Sequence, residues 1–408
     1  MFNNYILQIL EVNYENRIMI FDFENIEAIY SYTRLLSDIN FKVISYNDAT
    51  EFRYIYESTI KRSKDKFAVI VNHEQYIPYD ILKSFYCVSI SWNRLFPNLN
   101  RDILTKDKSV ELPLLYTAYN KFHDNLIFTD GINSYNDDFS SYVIEKVYEK
   151  ENVQIYLKDL EKRLLTLLAG RETNYKTWMQ IASLKGRAEY IAAKSGIKID
   201  FSFIDEQFKK FILDEYKTIS SVINNKSPVI VSRVMDFIAS KKEKVALIIM
   251  DGMSIFDFNV IISEFREIKY EKEYIYALVP TTTAISRQSL LAGKFPVELD
   301  KPFDLSNEEK EFKDKVKSLG YLENQIHYAR GYDIDIGPNV KCLSIILNEI
   351  DDLVHSQLQG RIGMYNDVKL LAKSGKVQQL VKKLHKNGFN VYLTSDHGNT
   401  LCRGLGIV

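Results

Sequence analysis

Two stretches of this chain are built from short apolar runs separated by amphipathic segments, and that rhythm constrains the fold more than any other feature. The first holds runs at 18–23, 41–46, 67–71 and 87–92; the second holds runs at 245–250, 274–279, 325–328, 342–347 and 390–393. Strands alternating with helical patterns read as βαβ units around a parallel sheet. Runs that are apolar from end to end suit strands covered on both faces. Between the two stretches, over about 112–225, the apolar period turns helical. Trp178, Ile181, Leu184, Ala188 and Ile191 share one face of a helix closed by Gly196, and Phe208, Phe211, Ile212 and Ile219 lie on another. Such stripes are expected to be core.

The chain therefore reads as an α/β module over 1–107, a helical middle region over 108–226 and a second α/β domain over 227–408. The turn chemistry of Asn224, Asn225, Lys226, Ser227 and Pro228 marks the last boundary. Its 408 residues exceed one ordinary compact domain. With 53 basic against 54 acidic residues, bulk charge commits the chain neither to nucleic acid nor to an anionic membrane. No apolar run approaches the roughly 20 residues of a membrane helix, and residues 1–17 do not resemble a signal peptide. Cys87, Cys342 and Cys402 are scattered and contain no paired spacing, which fits a reducing, cytoplasmic setting. The six histidines stand at 73, 123, 327, 355, 385 and 397.

In the first module Asp22 closes the first run, a place where α/β folds put functional groups. A receiver domain would carry a phospho-acceptor Asp after a central strand, but Asn72 follows 69–71. A structural or partner-recruiting module is the expected reading.

Chemistry concentrates in the second α/β domain, at the ends of its expected strands. Asp251-Gly252 follows six apolar residues, so a carboxylate emerges beside a residue that permits an immediate turn. The competing reading is a helix cap. Pro280-Thr281-Thr282-Thr283 precedes a helix expected over 284–292 and closed by Gly293. A hydroxyl there faces free N–H groups and a positive dipole end, which favour both its deprotonation and a phosphate beside it. All three threonines also suit plain capping. Arg287, one turn on, adds a fork matched to phosphate. Asp351 and His355 lie four apart, so on a helix they point the same way, and Asp396-His397 follows the run 390–393. Asp and His sets with a nearby Thr suit two closely spaced divalent metals; Asp351 and His355 taken alone read more readily as surface or capping groups.

The order Met250-Asp251-Gly252, Pro280 with Thr283, Gly293 and Pro296, Asp351 with His355, and Ser395-Asp396-His397-Gly398 resembles the alkaline phosphatase superfamily. The runs PTTTAISRQSLLAGKFP and TSDHGNT are similar to its PglZ branch, found in BREX phage-defence systems. The resemblance covers roughly 228–408. It implies an alkaline-phosphatase-like α/β sandwich, preceded by the helical region and the small amino-terminal α/β domain. It also implies a threonine nucleophile and two divalent ions, usually zinc, with manganese the alternative.

Carried over, Thr283 is the nucleophile, three residues after Pro280 and three before Ser286. Asp251, Asp396 and His397 hold one metal with Thr283, and Asp351 with His355 holds the other; Asp352 replaces Asp351 if the register shifts by one. The superfamily completes the second site with a later histidine, yet none follows His397, and Cys402 is the one soft ligand there. The resemblance thus points to a chain lacking its carboxyl-terminal portion, or to an incomplete second site.

The functional expectation is a metal-dependent phosphatase or phosphodiesterase, including a nuclease, of an anti-phage system. Its substrate is a phosphoester, with nucleic acid or a nucleotide the natural class, and Arg287 orients it. The alternative is a catalytically impaired PglZ-fold scaffold. In either case the amino-terminal and helical regions meet other defence-system proteins, with no membrane involved.

Overall fold

The computed structural model describes residues 1–106, 110–122, 137–170, 174–222, 224, 227–240, 243–265 and 268–400. Asn225, Lys226 and Cys402 lie outside the described residues. The chain divides into two compact units, Met1–Asp159 and Leu160–Val408.

In the first unit, β1 (Arg17–Phe21), β2 (Phe41–Ser45), β3 (Lys66–Val71) and β4 (Tyr86–Ser89) form a parallel sheet in the order β2-β3-β1-β4. The two inner strands are the most apolar, and Met19, Val69 and Val71 pack under Phe52, Tyr56, Phe67 and Phe85. Asp22 emerges after β1 and is fully buried. Its Oδ1 accepts the Ile26 N–H at 2.7 Å; its Oδ2 accepts the Glu27 N–H at 2.8 Å and the Tyr32 hydroxyl at 3.1 Å. Each carboxylate oxygen is engaged in holding the start of a short helix, so Asp22 is structural here.

In the second unit, β5 (Val245–Met250), β6 (Ile326–Arg330), β7 (Cys342–Leu347) and β8 (Asn390–Thr394) form another parallel sheet, ordered β6-β7-β5-β8. Every residue of β5 and β7 is buried, as their unbroken apolar runs require. Met250 stands opposite Leu347 and Ile249 opposite Thr394, so the chain leaves β5, β7 and β8 at one edge of the sheet. That edge carries Asp251 and Asp396-His397, the candidate site residues.

One expected strand does not form. Residues 274–279 make a single parallel bridge, Tyr276 to Ile230, through the bonds Tyr276 N–H to Val229 O (2.8 Å) and Val231 N–H to Tyr276 O (3.0 Å). The partner segment turns into a 3-10 helix at Val231–Arg233, so the ladder has no second rung to add.

The long helices follow their sequence signals. Tyr175–Lys194 starts on the Asn174 side chain, which accepts the N–H groups of Lys176 and Thr177. It ends at Gly196 with φ +66°, where the Ile197 N–H returns to Ala192 O at 2.8 Å. Trp178, Ile181, Ala188 and Ile191 are its buried stripe. The helix packs on Ile255–Ile262 and Gly360–Lys373. The next helix, Ser202–Ser221, buries Ile204, Phe211 and Ile219, but of its expected stripe Ile212 is half-buried and Phe208 is exposed. Among the described residues no helix is long and apolar enough to cross a membrane.

Candidate metal centre

The site is assembled from three chain segments that leave the sheet or meet its edge. Asp251 follows β5 directly and its N–H bonds Leu347 O at 2.9 Å, which extends the ladder by one residue. Gly252 then takes φ +66°, the left-handed conformation that turns the chain away at once. The helix Ile255–Ile262 begins three residues later with a capping box, Ser254 against Asp257. Asn399 ties the pieces together, since its Nδ2 donates to Gly252 O at 2.9 Å and to Asp257 Oδ2 at 2.6 Å.

Asp396 and His397 follow β8. Ser395 anchors their turn by donating to Met250 O at 2.8 Å. Asp396 is fully buried, and its Oδ1 accepts the N–H groups of Gly252 (3.2 Å) and His397 (2.9 Å). His397 Nδ1 lies 2.9 Å from Gly398 O. A carbonyl only accepts, so the proton of the neutral ring sits on Nδ1 and the lone pair sits on Nε2.

Thr283 is the first residue of the helix Thr283–Ala292, which Gly293 closes at φ +62°. Its Oγ1 is 2.9 Å from His397 Nε2. Thr281 and Thr282 are exposed, and the Thr282 side chain makes no capping bond. The structure therefore separates the three threonines: Thr283 alone is directed at the histidine.

Asp251, Asp396 and His397 place one ligand atom each within 4.8 Å of one another. His397 Nε2 is 3.7 Å from Asp251 Oδ1. Two buried oxygens, Asp251 Oδ1 and Asp396 Oδ2, have no hydrogen-bond partner among the described residues. Burial, reinforced by Asp251, pushes the Asp396 carboxyl up to about 7. Two orphaned carboxylate oxygens, an imidazole lone pair and a hydroxyl form a donor set that zinc or manganese accepts. The residues fit a divalent ion.

Arg287 points inward and is only 2 % exposed. Its NH1 donates to Asp251 Oδ2 at 2.6 Å and its Nε to Glu308 Oε2 at 2.8 Å. Asp351 and His355 sit on the helix Glu349–Ser356, with His355 Nε2 3.5 Å from Asp351 Oδ1. Asp351 reaches the centre: a Cβ built on Gly252 would lie 3.4 Å from Asp351 Oδ1 and 3.7 Å from His397 Cε1. The His355 side chain is 78 % exposed, and Asp352 is exposed as well. The structure thus gathers Asp251, Thr283, Asp396 and His397, sets Asp351 beside them, and leaves His355 at the solvent side.

Three contributors were not anticipated. Asp257 had a legible signal, the Ser254-x-x-Asp257 spacing of a capping box. Asn399 lies two residues after His397 within the same short motif. Glu308 had none, because it sits in the acidic and basic run 308–315 that reads as a solvated helix face.

The family model PglZ, described as the BREX system PglZ alkaline phosphatase-like domain, matches residues 230–406. No curated protein matches the chain.

Proposed function

Residues 230–406 being a PglZ alkaline phosphatase-like domain of the BREX type, we propose that this chain is a metal-dependent phosphoester hydrolase with Thr283 as nucleophile. One observation carries the reading: the Thr283 hydroxyl lies 2.9 Å from His397 Nε2, beside two buried carboxylate oxygens that have no donor among the described residues. Asp251, Asp396 and His397 would hold the first ion, with Thr283 adjoining it, and Asp351 stands where a second position would begin. A bound divalent ion supplies Lewis-acid stabilisation of the transferring phosphoryl and lowers the hydroxyl's pKa.

The chain's own residues then have separate tasks. Thr283, deprotonated to solvent, bonds to phosphorus as the ester oxygen departs, and water later cleaves the phosphothreonine to release phosphate or a phosphomonoester. The N-terminus of the helix Thr283–Ala292 supplies a positive dipole end beside the phosphoryl group. Gly252 and Asn399 keep the Asp251 turn in place. Membership of a defence-system family supports a nucleic-acid or nucleotide phosphodiester as substrate, and supports other system components as partners of residues 1–226. Activity of the purified chain on nitrophenyl phosphate mono- and diesters with zinc or manganese tests the reading. Turnover unchanged by Thr283→Ala would remove Thr283 from its role.

A specific observation favours a second reading. His355 is 78 % exposed and is not gathered into the Asp251, Asp396 and His397 cluster, which suits a one-metal domain that serves as a recruiting platform. Metal analysis of the purified chain separates the two readings, since two ions per chain with turnover would exclude the platform.

A further inference from the structure

Behind Asp251 lies a buried ionic network whose central member belongs to no motif. Glu308 opens the helix Glu308–Ser318 and is 2 % exposed. A buried carboxylate is costly unless fully paired, and this one is met from three sides. Arg287 Nε donates to Oε2 at 2.8 Å, while the Tyr328 hydroxyl and Arg330 NH2 both donate to Oε1. Burial, reinforced by Glu308, pushes the Tyr328 phenol up, so it stays protonated as a donor. Arg287 uses its other edge on Asp251, with NH1 to Oδ2 at 2.6 Å.

A guanidinium is a rigid planar fork, so fixing Nε fixes the direction of NH1. Asp251 Oδ2 is thereby occupied. Its Oδ1 has no donor among the described residues and faces His397 Nε2 at 3.7 Å.

We propose that Glu308 is a positioning residue for the metal centre: acting through Arg287, it turns Asp251 so that this residue ligates through Oδ1 alone. The inference rests on the metal-site reading given above. It assigns Arg287 to the orientation of Asp251, because Arg287 is only 2 % exposed and its Nε and NH1 both donate to buried carboxylates. A bridging arginine with its own anchoring carboxylate acts on a ligand as outer-shell hydrogen bonds do elsewhere, fixing direction and restraining a second mode of coordination.

The test is calorimetric titration of zinc into the full-length wild-type chain and into Glu308→Gln, Arg287→Lys, Asp251→Asn and the Glu308→Gln/Asp251→Asn pair, each shown by circular dichroism to be folded. Glu308→Gln is expected to weaken binding of the first ion by roughly 10- to 100-fold. Arg287→Lys keeps the charge but cannot bridge both carboxylates, and is expected to weaken it similarly; it carries the test if Glu308→Gln does not fold. In the Asp251→Asn background, Glu308→Gln is expected to have no further effect, because its route to the ion is already removed. Binding by Glu308→Gln within about twofold of wild type, or a loss that adds in full to that of Asp251→Asn, overturns the inference. A wild-type chain that takes up no ion overturns the metal-site reading and this inference together, whereas tight binding by both wild type and Glu308→Gln overturns this inference alone.

Discussion

The two parallel sheets of this protein have the same strand order, with the first strand of each lying between its third and fourth, and each places an aspartate immediately after that first strand. Asp22 and Asp251 are both buried, yet their surroundings differ in kind. Asp22 receives two helix N–H groups and a tyrosine hydroxyl, so neither oxygen is left over. Asp251 receives an arginine on one oxygen, while the other faces a histidine and has no donor among the described residues. Position at a strand end makes a carboxylate available. What completes its hydrogen bonding decides whether it supports the fold or waits for a ligand.

The largest effect expected along this divide is on Thr283. Thr283→Ala should lower phosphoester turnover by about a thousandfold or more, while Thr281→Ala, at an exposed position, should leave it near wild type; initial-rate assays with zinc or manganese read both. The paired aspartates give the sharpest contrast. Asp251→Asn should weaken first-ion binding by on the order of a hundredfold or more in calorimetry. Asp22→Ala should instead leave ion binding intact and cost about 2–3 kcal/mol in denaturant unfolding, from lost capping and an orphaned tyrosine hydroxyl. An Asp22 variant that lost ion binding would break the comparison.

The metal-free protein should also show its orphaned carboxylates in its pH dependence. The Asp396 carboxyl is raised from 3.8 to about 7 in the folded chain. Between those values the folded state holds a proton that the unfolded state has lost, so stability falls as pH rises through this window. Melting temperatures taken without metal should decline from about pH 4 to about pH 7, and added zinc should restore them most at the upper end. Constant melting across that range with chelator present would contradict the buried, donor-poor setting of Asp396. The smallest effect belongs to Gly252. Gly252→Ala at φ +66° should cost about 1 kcal/mol, with a modest loss of ion affinity because the new Cβ approaches Asp351 and His397.

Much of this was legible in the chain, for reasons that are local. The unbroken apolar runs of β5 and β7 require strands covered on both faces, and Gly196 and Gly293 fall where helices end in the left-handed conformation. Residues 274–279 misled because an apolar run states that a strand is affordable without stating that a partner exists; the partner turns away at Val231–Arg233. Arg287 read as a phosphate fork because nothing nearby in sequence shows the carboxylates at 251 and 308 that take its hydrogen bonds.

The sequence by itself determined the alternation of strands and helices, the strand-end position of Asp251 and Asp396-His397, and the helix-start position of Thr283, because each follows from a periodicity or a turn preference a few residues long. Only the tertiary structure decided which threonine faces the histidine, which of Asp351 and Asp352 approaches the centre, and that Asp22 is satisfied where Asp251 is not. These outcomes depend on hydrogen-bond donors and acceptors that come from separate segments of chain, and their pairing exists only once the sheet has brought its strand ends to one edge.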